Sequence, residues 1–197
     1  MHINVLNRHA TRVRAVLCVY AFLIRLKAQD DFDVSNMLDE VFRLDARSDG
    51  LEGLPPCPWE RVDPDFREVI VKGLSRIDSI GKKISEYLDG WTFDRLPAVT
   101  RAVMIVSFAE TVLVGLTPKP VSIDEAIRTV RQFGSPTETR YVNAVLERSI
   151  SSALGIESDY QGPGKVHIDI LEVTPEREHI QDVLEGRASL VAPAPNE

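Results

Sequence analysis

Cysteine is nearly absent: the 197 residues hold two, Cys18 inside an apolar stretch and Cys57 in a proline-rich loop. Two thiols do not make a disulfide framework, and without a C-x-x-C pair a zinc knuckle has no support. A reduced, cytoplasmic protein is the expectation. Histidine is scarce as well. His2, His9, His167 and His179 never stand three or four residues from one another or from a cysteine, so no local metal site is written. No apolar run approaches the roughly 18 to 20 residues of a membrane span. The strings G-x-G-x-x-G, G-x-x-x-x-G-K-S/T and G-x-S-x-G are all missing. Carboxylate pairs such as Asp39 with Glu40 and Asp124 with Glu125 fit solvated helix faces and caps. The expectation is a protein that is not an enzyme and uses no cofactor and no metal.

The longest stretch without acids is the head of the chain. The net charge is -7, yet no Asp or Glu precedes Asp30, while Arg8, Arg12, Arg14, Arg25 and Lys27 do. A basic segment at the head of an acidic chain marks either a nucleic-acid contact, where cations replace condensed counterions, or a solvated helix face. The run AVLCVYAFLI at 15–24 with its basic flank superficially resembles a secretory signal. Arg25 and Lys27 follow it at once, no small-x-small cleavage site closes it, and Val13, Val16, Leu17, Tyr20, Leu23 and Ile24 keep helical spacing.

What remains is helix after helix. Residues 8–28 and 33–44 read as the first two. A glycine- and proline-rich loop spans 45–60. One helix is expected over 64–89, with Asp63 as N-cap and Pro64 in its first turn. Another runs from Pro97 to Val114 and stops at Gly115. It is apolar nearly all round, which predicts a central position, and its Glu110 needs a partner if buried. Ser122 and Glu125 write a capping box ahead of a stripe that includes Phe133. Ser135 and Glu138 write a second, with Pro136 at the first helical position. Two helices joined at Gly134 and Ser135 must turn sharply on each other. Asn143 is expected on the inner side of the last helix. After the stop at Gly155 the pattern fails. VHIDILEV at 166–173 alternates like a short strand, PEREHIQDVLEG at 175–186 reads as a short helix, and a proline-rich end follows. The expected division is a helical domain over 1–155 and an acidic tail over 156–197, loosely attached or disordered and dispensable for folding.

Three stretches, RHATRVRAVLCVYAF at 8–22, RLPAVTRAVMIVSFAE at 95–110 and PKPVSIDEAIRTVRQFGSPTETRYVNAVLERS at 118–149, together resemble the NusB family of transcription antitermination factors. The resemblance implies an all-α fold, a compact bundle of about seven helices. It implies a factor that binds the ribosomal protein NusE, then the boxA element of ribosomal RNA, within an antitermination complex on RNA polymerase. Carried over by position, Arg8, His9, Arg12, Arg140 and Tyr141 become the expected RNA contacts, and Tyr20, Thr100 and Arg101 the expected partner contacts. The Tyr141 ring either stacks on a base or lies in the core. The chain departs from the family pattern at several points. His9 and Ala10 stand where arginines are usual, Thr100 where glutamate is, Ile105 for arginine, Ala109 for tyrosine and Ala144 for glycine. Fewer basic groups release fewer counterions. Two alternatives follow: a protein-interaction module of the same fold that has lost RNA, and the split-off substrate-binding part of a ribosomal RNA methyltransferase. The 42 residues after Gly155 hold no methyltransferase domain.

Overall fold

The computed structural model describes residues 8–28, 32–44, 56–133, 136–162 and 166–167. Among them are seven α-helices: α1 Arg8–Ala28, α2 Val34–Arg43, α3 Pro64–Ser75, α4 Ile77–Ser85, α5 Ala98–Phe108, α6 Lys119–Phe133 and α7 Pro136–Leu154. Two single-turn 3-10 segments, Trp59–Arg61 and Phe93–Arg95, connect them. A pair of two-residue strands, β1 Leu88–Asp89 and β2 Val166–His167, lies side by side in parallel. The all-α expectation holds.

Helix α5 is the axis. Every residue from Thr100 to Phe108 is buried, and α1, α3, α4, α6 and α7 all pack against it. Its lack of a polar face leaves no other place for it. Beyond Phe108 the helix widens into a π-helical stretch, Ala109–Val114, and stops at Gly115, whose φ of 71° is the left-handed cap that glycine adopts at little steric cost. That widened stretch packs on α3 and carries Glu110 inside the domain. The opening helix brings Val16, Cys18, Val19 and Leu23 to the same core.

Several boundaries differ from the sequence reading. The helix expected over 64–89 is two. Arg76 leaves helical geometry (φ -126°, ψ 22°) between α3 and α4. Next to it the Ser75 hydroxyl donates to the Lys72 carbonyl, a bond that competes with the helical ladder. The apolar period survives because the interruption costs a single residue. Helix α6 begins at Lys119, before the expected capping box. Pro120 suits a first turn, the Ser122 amide already bonds to the Pro118 carbonyl at 3.1 Å, and the buried Ser122 hydroxyl donates to the Ser107 carbonyl. Phe133 ends α6 at 39% exposure instead of joining the core. Asn143 is exposed: Tyr141, Val142, Val145 and Leu146 take the inner face, and the asparagine falls between them on the outside. Helix α7 does begin at Pro136; the junction at Gly134 and Ser135 lies outside the described residues.

Residues 156–162 are non-helical, as expected, but the chain stays on the domain through Tyr160. Lys119 and Glu147 pair at 2.6 Å between α6 and α7. The same Glu147 oxygen accepts from the Ser151 and Ser158 hydroxyls and from the Asp159 amide. The Arg148 guanidinium lies between two rings, 5.5 Å from that of Tyr87 and 5.6 Å from that of Tyr160. Further on, Val166 and His167 pair with Leu88 and Asp89. So part of VHIDILEV is a strand, while the expected helix over 175–186 lies outside the described residues.

Candidate nucleic-acid interface

The basic opening helix does not present its arginines as a row. Arg12 is 6% exposed and is spent on Glu110. Its Nε lies 3.0 Å from both carboxylate oxygens and its Nη2 2.8 Å from one, a fork that a guanidinium fits and an ammonium does not. Thr117 completes the cluster, accepting from Arg12 Nη2 at 3.1 Å and donating to Glu110. The buried Glu110 thus has its partner. Arg14 is buried outright and donates to the Phe42 and Leu44 carbonyls, tying α1 to the end of α2, where the last carbonyls lack intrahelical donors. Two of the five cations therefore hold the fold together.

Arg8, one turn ahead of Arg12, is exposed. His9 beside it is mostly covered and shares a 2.6 Å hydrogen bond with Glu125 of α6. Glu125 also lies 3.8 Å from Arg12 and 4.0 Å from Arg128. This carboxylate marks where α1 passes α6. On α7, Arg140 is exposed but Tyr141 is 6% exposed, so as folded its ring belongs to the core and offers no face to a base.

The residues expected to meet a partner protein divide in the same way. Tyr20 is half-buried, and burial raises its hydroxyl pKa above the usual tyrosine value. Thr100 is fully buried and donates to Glu138 of α7 at 3.0 Å, so it serves the α5–α7 contact. Arg101 is 8% exposed, with Asp94 3.7 Å from its guanidinium. Burial pulls its guanidinium pKa below the usual arginine range. Among the described residues no His, Cys, Asp or Glu cluster is placed to hold a metal. No described helix is long and apolar enough to cross a membrane.

A sequence profile for the NusB family matches residues 9–151. The chain belongs to the NusB family. Curated relatives bear the description transcription antitermination protein NusB. One from Treponema denticola is 39% identical over 83 residues, covering 42% of this chain and 61% of that protein. One from Oceanobacillus iheyensis is 31% identical over 113 residues, covering 56% of this chain and 90% of that protein. Among solved structures, T. maritima NusB superposes with a TM-score of 0.51 at 25% identity, over 74% of this chain and 97% of that one. The NusB match ends before the segment that docks through Tyr160.

Sequence reasoning missed Glu125 as the meeting point of α1 and α6, because residues 116 positions apart carry no mutual signal in a single chain. The Arg12–Glu110 pair was half legible: a glutamate inside an apolar helix asks for a cation, but nothing in the sequence says which.

Proposed function

We infer that this chain acts as a transcription antitermination factor of the NusB type. In this reading it has no chemistry of its own and works in the cytoplasm. It binds NusE, and with it a boxA-type ribosomal RNA leader, in an antitermination complex on RNA polymerase. The single observation that carries the reading is the family match over 9–151 together with relatives described as antitermination proteins. The surface agrees with it at Arg8 and Arg140, both exposed on the helices that the resemblance assigns to RNA. Tyr20, half-buried on α1, and Arg101 at the head of α5 are the proposed partner contacts.

A second reading, an interaction module without RNA, draws on the burial of Arg12 and Tyr141, which removes two of the five expected RNA contacts. The two separate in one titration. Labelled boxA RNA is added to the chain alone and to the chain with NusE. Binding that strengthens with NusE supports the antitermination factor; NusE binding with no RNA uptake supports the interaction module.

A further inference from the structure

We propose that Arg128 and Arg131 of α6, with Arg8 of α1, form a cationic strip that takes consecutive RNA phosphates. The proposal rests on the RNA-binding reading and relocates its contact surface from the length of α1 to the outer face of α6.

The case begins with which cations are spent. Arg12 and Arg14 are buried in the fold, and Arg25 and Arg43 each face a carboxylate within hydrogen-bond reach. Arg128 is not spent in that way: its side chain is 64% exposed and its nearest acid, Glu125, is 4.0 Å away and already shared with His9 and Arg12. Among the described residues Arg8 and Arg131 have no ion pair at all, and both are exposed. Arg128 and Arg131 are three apart and so neighbours on one helix face. Arg8 shares the face of Arg12, one turn further out, and Arg12 reaches the vicinity of Glu125. The α1 end and the α6 face therefore adjoin at Glu125: Arg8 precedes His9, which bonds to that carboxylate, and Arg128 and Arg131 follow it three and six residues on, all three exposed.

Besides Glu125, a second acid opposes the strip. Asp124 is exposed and stands four residues before Arg128, on the same face. It weakens the field any phosphate would meet, and this supplies a test that damage to the fold cannot imitate. Removing it leaves every arginine in place.

The experiment measures binding of single-stranded boxA RNA to the full chain with NusE, across a salt series. R128E/R131E is expected to bind at least about tenfold more weakly. Its log–log salt slope should be shallower by about 1.4, two contacts at about 0.7 each for a single strand. Its NusE affinity and helical circular dichroism should be unchanged. Asp124→Asn is expected to bind the same RNA about two- to threefold more tightly at low salt, an advantage that fades as salt screens it. Wild-type binding with an unaltered slope in R128E/R131E overturns the strip and leaves the RNA reading standing. A wild-type protein that takes up no RNA with NusE overturns both.

Discussion

Replacing Arg12 with alanine tests whether the most prominent basic residue of α1 is a strut or a ligand. The guanidinium is 6% exposed, holds Glu110 through three contacts of 2.8–3.0 Å and bonds to Thr117. Deleting it leaves the Glu110 carboxylate, 1% exposed, without its cation inside the domain. Breaking a buried pair from one side costs about 3–5 kcal/mol. For a domain of this size each kcal/mol moves the midpoint by about 2–4 °C, so a fall of roughly 6–20 °C is expected. Arg12→Lys keeps the charge but not the fork and should recover part of the loss. In the double variant R12A/E110Q no uncompensated carboxylate remains, so its loss should be smaller than the sum of the two single losses. The assay is thermal and urea unfolding followed by circular dichroism, with RNA binding measured beside it. An R12A protein as stable as wild type but unable to bind RNA would refute the structural role.

Gly81→Ala should destabilise by about 1–3 kcal/mol despite alanine's better helix propensity. The new Cβ would sit 2.7 Å from the Phe93 ring, itself buried, and thermal melts would show it. Truncation after Gly155 should lower stability by roughly 1–3 kcal/mol, through the lost bonds to Glu147 and the uncovering of Arg148; an unchanged midpoint would support a dispensable tail instead. Burial raises the Glu147 pKa, but the bonds from Lys119, the Asp159 amide and Ser151 outweigh it and hold the group below the ordinary carboxylate range. Its contribution is therefore complete above the unfolded pKa and is lost as pH falls through the lower folded value. The stability gap between wild type and Glu147→Gln should close on acidification, and a gap that persists in acid would contradict the pairing. Asn143→Ala should change stability by no more than about 0.5 kcal/mol in chemical denaturation, since the side chain is exposed.

Helix existence was legible because apolar spacing records it directly, and the central place of α5 followed from its missing polar face. Helix ends were less so. The pattern through 64–89 passes over Arg76 because one non-helical residue shifts the following stripe too little to register. The S-x-x-E string at Ser122 lost to Pro120, which fits a first turn beginning at Lys119, about one turn earlier, so a local motif was outweighed by its neighbour. The site was legible only in part. A sequence records that Arg8, Arg12 and Arg14 are cations, but burial separates them, and burial depends on Glu110 and on the α2 carbonyls, far along the chain. Asn143 was misplaced for a related reason: two residues on from the buried Tyr141, its phase on α7 turns it out of the core.

The most direct test of the RNA reading is a competition titration of labelled boxA RNA with the chain and NusE, using a scrambled RNA of equal length and charge as competitor. Specific affinity that survives the scrambled competitor, that needs NusE for full strength and that falls in Arg8→Glu without a change in melting temperature is the predicted result. Equal displacement by both RNAs, or no uptake of boxA RNA with NusE bound, would contradict it.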